Sequence, residues 1–166
     1  MKCCIYVLAI TCALSWLAGC NSATPDSVGK IYPVSLTLTQ ESKPLVGATV
    51  ALISDDPNAQ YTVGGASDEQ GTVSIFTDGR YEGAKPGHYK VVVSKVETEE
   101  IPKAPLDLQS PEFDSWAQTY SNRSAKSWTL VDHKFGNAST TPLEITVVAG
   151  KNEFPLDCGK QIRKEN

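Results

Sequence analysis

The sequence predicts an all-β protein, an antiparallel β-sandwich of about seven strands with one short helical insertion before the last hairpin. Three observations predict it. Apolar residues alternate with polar ones in period 2 over most of the chain from Ile31 onward. Turn clusters rich in Gly, Pro, Asn and Asp recur every 8–12 residues or so. No stretch pairs a strand with a following amphipathic helix in the manner of a βαβ unit.

The elements follow in order. Val34, Leu36 and Leu38 alternate with Ser35, Thr37 and Thr39, the pattern of a half-buried strand. Residues 40–44 (QESKP) form a polar turn, and a second strand over 49–53 carries Val50 and Leu52 in phase. Asp55-Asp56-Pro57-Asn58 has strong turn chemistry. A third strand over 61–66 is weakened by Gly64-Gly65. Asp68-Glu69-Gln70-Gly71 is a tight turn into a strand over 72–76, with Val73 and Ile75 inward. The strand over 88–96 is the clearest, with Tyr89, Val91 and Val93 on one face.

Residues 101–141 depart from this rhythm. Pro102, Pro105 and Pro111 punctuate the segment, and Ser110-Pro111-Glu112 supplies an N-cap, a proline at N1 and an acid in the first turn. A helix over 111–120 would place Phe113, Trp116, Ala117 and Tyr120 on one face, a stripe expected to pack on a sheet. Residues 143–149 and 153–158, separated by a Gly150-Lys151-Asn152 turn, then pair as a hairpin with Ile145 and Val147 facing Phe154 and Leu156. The basic residues 159–166 are expected to be a solvated, frayed tail.

The N-terminus has the layout of a secretory leader. Lys2 is followed by an apolar run over 5–17, shorter than the ~20 apolar residues a membrane span needs. Leu17-Ala18-Gly19-Cys20 reads as a lipobox, with cleavage after Gly19 and lipid carried on Cys20. Diacylation of the Cys20 sulfur and acylation of its amine, a palmitate-type modification, bury enough methylenes for stable anchoring. This reading divides the chain into a leader (1–19), a lipidated cysteine and polar tether (20–30), a domain (31–158, with an insertion at about 97–141) and the tail (159–166). The tether spans at most ~30 Å.

Processing discards Cys3, Cys4 and Cys12 with the leader, and lipid consumes Cys20. Cys158 is left without an intramolecular partner, so no disulfide framework is expected. Phe154, Leu156 and Cys158 share one strand face, which places Cys158 in the core. The formal charge of −4 argues against a nucleic-acid partner.

Four motifs carry a resemblance. Residues 32–34 (YPV) with 43–50 (KPLVGATV), then 66–73 (ASDEQGTV), 83–91 (GAKPGHYKV), and 134–143 with 147–154 occur in a recognisable order. This order resembles the carboxypeptidase regulatory-like domains, Greek-key sandwiches of the transthyretin (prealbumin) type, and in particular small lipoproteins of that type in planctomycete-like bacteria. The chain departs from the pattern at Leu130-Val131-Asp132-His133, where an Ile-Pro-like step is expected. The resemblance implies a module that is generally non-catalytic.

The residues carry little chemistry of their own. Hydroxyisourate hydrolases of related fold end in Tyr-Arg-Gly-Ser, whereas this chain ends Ile162-Arg163-Lys164-Glu165-Asn166. Intradiol dioxygenases use a His-x-His step, and here His88 and His133 stand far apart. Those two histidines define the alternative reading, a small metal-dependent or hydrolytic enzyme. Asp55, Asp56 and Asn58, or Asp68 and Glu69, could offer oxygens to calcium, but Asx-turns are the commoner use of such residues. No catalytic residue, metal or cofactor is therefore expected.

The function expected is a non-catalytic binding or structural role in the bacterial cell envelope. The domain would be lipid-anchored at the membrane, extracytoplasmic, and directed to the outer membrane because Asn21 follows Cys20. An envelope protein or a glycan is the expected partner, with Trp116, Tyr120 and Trp128 as the contact patch.

Overall fold

A computed structural model describes residues 29–166; the lipobox, Cys20 and most of the tether lie outside the described residues. In order, the elements are β1 (Val34–Gln40), β2 (Lys43–Pro44), β3 (Thr49–Ser54), β4 (Val63–Ala66), β5 (Thr72–Ser74), β6 (Phe76–Thr77) and β7 (Tyr81–Glu82). They continue with β8 (Gly87–Ser94), β9 (Val96–Thr98), α1 (Pro111–Tyr120), β10 (Ser127–Thr129) and a 3-10 turn (His133–Gly136). β11 (Glu144–Val147), β12 (Asn152–Asp157) and β13 (Lys164–Glu165) close the chain.

The protein is a β-sandwich. One sheet has the order β11-β8-β3-β4-β6-β7, antiparallel throughout. The other is β12-β1-β2, with β5 also pairing β1. Period-2 alternation sends Leu36 and Leu38 of β1, Val50 and Leu52 of β3, and Tyr89, Val91 and Val93 of β8 into one shared core. Cys158 is fully buried there, as its strand phase predicts.

The predicted closing hairpin is not formed. β11 pairs β8 in one sheet, whereas β12 crosses to the other and runs parallel to β1, Leu36 opposite Phe154. The connection is an arch, and Asn152 explains why it can cross. Its Oδ1 accepts from Val148 N (2.9 Å), while its Nδ2 donates to the main-chain oxygens of Val148 (3.0 Å), Gly150 (2.9 Å) and Pro33 (3.3 Å). One buried amide thus satisfies groups that a hairpin ladder would have used.

The predicted strand over 72–76 also divides between sheets. Val73 of β5 pairs Leu36 of β1, and Phe76 of β6 pairs Gly64 of β4. Ile75 at the crossing keeps its N–H on Val34 O (3.1 Å) and its carbonyl on Gly83 N (2.7 Å). The chain passes so close to β4 that a Cβ on Gly65 would strike the Ser74 carbonyl oxygen and come 2.8 Å from Val73 Cγ1. The glycines that weaken the third strand in sequence are what let the two sheets meet at this corner. That strand accordingly starts at Val63, because Thr62 is taken by Asp78, whose N–H donates to Thr62 O (2.7 Å).

The tail is not frayed. β13 pairs β10, which pairs β9, making a separate three-stranded sheet. Its end is fixed where Thr129 Oγ1 donates to Asn166 Oδ1 (2.7 Å) and Asn166 N donates to Ser127 O (3.0 Å). The physical reason is that β10 has an open edge, and the tail supplies the hydrogen-bonding groups that complete it.

Candidate contact surface

Residues 95–129 and the tail form a lobe standing outside the sandwich core. The insertion predicted at 97–141 is therefore two things. Its first part is this lobe, and its second part returns to the sandwich, where Val131 and Phe135 join the core. Residues Leu130–His133 are the junction. Leu130 N donates to Lys95 O (2.9 Å), and the Asp132 side chain caps the 3-10 turn through Lys134 N (3.0 Å).

The helix forms where the sequence predicts it. Ser110 is the N-cap, its Oγ accepting from Phe113 N at 3.1 Å; Pro111 opens the first turn, and Glu112 and Asp114 lie beside the positive end of the helix. The stripe does not pack on a sheet, however: no residue of α1 is buried. Phe113 and Trp116 stack with centroids 6.0 Å apart and planes at 26°, and Tyr120 continues the row 6.1 Å from Trp116. Trp116 Nε1 donates to Pro102 O (2.7 Å), which ties the stripe to the loop before α1 at Pro102. A groove of about 460 Å³ in that segment is lined by Glu100, Ile101, Pro102 and Lys103.

The predicted patch is thereby split. Trp116 and Tyr120 stand together on α1, but Trp128 is on β10, opposite Glu165 and Glu97, with the Arg163 guanidinium 4.5 Å from its ring. Two exposed residues absent from that prediction stand out. Leu106 is completely exposed and Leu108 is 66% exposed, both in the loop leading to α1. Their signal in sequence was the Pro-Leu-Asp-Leu stretch of isolated apolar residues within a loop.

The lobe joins the sandwich at one end, and the chain enters the domain at the other. Tyr32 pairs with Ala84, shortly before β8 begins, and Pro33 O accepts from Asn152 N (3.1 Å). At the far end of β1, Gln40 Nε2 donates to Leu130 O (3.1 Å) and Lys160 O (3.2 Å), and Lys95 follows the end of β8. A seven-residue strand spans roughly 23 Å.

No protein-family model, curated protein or solved structure matches this chain.

Most of the remaining candidate groups have structural partners. His88 Nδ1 lies 2.5 Å from Asp55 Oδ2, and its Nε2 lies 3.4 Å from Glu144 Oε2. Lys90 also bonds Glu144 and, with His88 adding a smaller attraction, lowers the pKa of that exposed carboxyl. His133 is exposed at the start of the 3-10 turn and joins none of these pairs. Asp56 Oδ1 accepts from Asn58 N (2.9 Å), and Asp68 Oδ1 from Gln70 N (2.9 Å) and Thr72 N (2.8 Å), which makes both aspartates Asx-turn residues. Among the described residues no three His, Cys, Asp or Glu side chains gather as a metal site. No described helix is long and apolar enough to cross a membrane.

A second hollow, of about 300 Å³, opens where β3 and β4 diverge beyond Ala51 and Gly64. It is lined by Ile53, Asp56, Ala59, Tyr61 and Thr62 among others. Burial above all raises the pKa of the neighbouring Tyr89 phenol, whose hydroxyl donates to Lys85 O at 2.9 Å.

Proposed function

We propose that this protein is a lipid-anchored, extracytoplasmic module of the bacterial cell envelope, a carboxypeptidase regulatory-like lipoprotein that holds its lobe out to a partner without catalysing a reaction. The observation carrying this reading is the polarity of the sandwich. The chain that leads from Cys20 enters at one end, and the segment carrying the exposed leucines and aromatic row leaves and rejoins the sandwich at the opposite end.

The mechanism is spacing and presentation. A lipid on Cys20 and a tether of at most ~30 Å would hold the entering end near the outer membrane. The strands would then act as a rigid strut of roughly 23 Å. Leu106 and Leu108 give the lobe exposed apolar anchors of the kind that bury well against a protein surface, which favours a protein over a glycan as partner.

Two measurements test the reading. Cys20→Ser should move the protein from the membrane fraction to the soluble one; retention in the membrane would sink the anchoring. A photo-crosslinking residue at Leu106 should capture one partner in intact cells, whereas the same group at Val148, in the arch at the other end, should not. Equal capture from both ends would reject the polarity argument.

A further inference from the structure

The segment between β9 and α1 is chemically biased to be extended. Pro102 and Pro105 fix their own φ, and each keeps the residue before it, Ile101 and Ala104, out of helical space. Residues 101–105 accordingly carry neither helix nor strand. This arm meets the aromatic row of α1, with the Trp116 indole N–H fixed on the Pro102 carbonyl at 2.7 Å.

Flat aromatic faces that accept pyrrolidine rings, together with an indole donor aimed at a proline carbonyl, are the chemistry by which extended proline-rich strands are recognised. The arm makes the second of these contacts within one chain, through Trp116 and the Pro102 carbonyl. Phe113, Trp116 and Tyr120 each remain partly exposed, and a groove of about 460 Å³ opens on the arm itself, lined by residues 100–103. The surroundings are acidic as well. Glu100, Glu112 and Asp114 make no ion pair among the described residues, while the arm's own Lys103 stands between its two prolines.

We propose that the Phe113–Trp116–Tyr120 face of α1 is a receptor for an extended, proline-containing, basic peptide segment of a partner protein, and that the chain's own Pro102–Pro105 arm occupies it in the absence of that partner. This rests on the lobe being the outward contact surface and names the class of partner it takes. The arm makes the receptor self-closing. A peptide must displace it, so the apparent affinity is the intrinsic affinity reduced by the fraction of open molecules.

The test is a titration of the detergent-solubilised full chain with a synthetic, C-terminally amidated peptide of the arm's own sequence, residues 101–106, whose one charged side chain is Lys103. The readout is the Trp116 indole N–H resonance, identified by its loss in Trp116→Phe. A saturable shift is expected in the parent protein. In Pro102→Ala/Pro105→Ala, which loosens the arm, binding should tighten about tenfold. Trp116→Phe keeps a ring but loses the donor, and should weaken binding about fivefold, followed on the amides of residues 111–120. A peptide with both prolines replaced by alanine should not bind.

The proposal is overturned if the double variant keeps α1 and shows no saturable shift, or if the proline-free peptide binds equally well. Should the double variant lose α1, the parent titration decides, and absence of a saturable shift there is fatal. A lobe that captures a partner in cells yet ignores these peptides rejects this receptor and leaves the anchored module standing. Peptide binding by a protein that Cys20→Ser does not release does the reverse.

Discussion

Gln40 reaches from the last residue of β1 to the main-chain oxygen of Leu130, 3.1 Å away and 90 residues later in the chain. The same amide nitrogen also donates to Lys160 O, so a single buried side chain ties the sandwich to both the lobe and the tail. Replacing Gln40 by leucine takes the donor from Lys160 O and leaves Leu130 O only the long bond from Ile162 N (3.5 Å), and should cost about 1–3 kcal/mol. The loss should be concentrated in the lobe. Hydrogen exchange at β10 and β13 should accelerate more than at β8; uniform acceleration would mean the lobe and sandwich open as one unit.

Asn152 holds the arch in the same manner. Asn152→Ala removes four hydrogen bonds at once and should destabilise the protein by roughly 2–4 kcal/mol in a denaturant titration. Asn152→Asp keeps the acceptor for Val148 N but turns a donor toward three carbonyl oxygens into a charge facing them, and should be at least as damaging at neutral pH. A change below about 0.5 kcal/mol for either variant would show that the arch is held by its strands alone.

Gly64 and Gly65 are predicted to be intolerant of even a methyl group. A Cβ on Gly64 would strike the Val50 carbonyl oxygen, and one on Gly65 the Ser74 carbonyl oxygen. Both obstacles are backbone and have no rotamer to yield. Alanine at either position should cost roughly 2–4 kcal/mol, seen as a lowered denaturation midpoint. Alanine at Gly47, which has open space but φ of 66°, should cost less, about 1 kcal/mol.

Cys158 should be silent to thiol reagents until the protein unfolds. Burial first, and the nearby Asp157 carboxylate second, push its thiol up to about 11 from an ordinary 9.0. The folded state therefore holds its proton more tightly than the unfolded one. The associated stabilisation is fully present below pH 9 and fades as the pH rises through about 11. A chain beginning at Gly29 isolates this thiol from the other four cysteines of the sequence. Its modification rate at pH 8 should follow the unfolded population across a denaturant titration. Rapid labelling of the native protein would contradict the burial.

Elements whose cause lies within a few residues were legible in sequence. Ser110, Pro111 and Glu112 set the start of α1 through a side chain, a fixed φ and a charge, all local to one turn. The alternation from Val34 to Thr39 and from Tyr89 to Val93 set two central strands and their inward faces. The signal weakened where a residue's role depends on distant backbone. Gly64-Gly65 reads as a defect in a strand, and only the passing Ser74 carbonyl shows it to be a clearance. Trp128 reads like Trp116, and only Arg163 and the strands beside it separate the two.

What the sequence determined by itself is a sandwich of alternating strands with one capped helix and a buried Cys158. Partnering was decided by the tertiary structure. The choice of β12 for β1 over β11, of the tail for β10, and of the arm for Trp116 all join segments whose local patterns allow several partners. Period and capping are energies of neighbouring residues. Pairing is a competition among open edges and faces that exist only once the chain has folded.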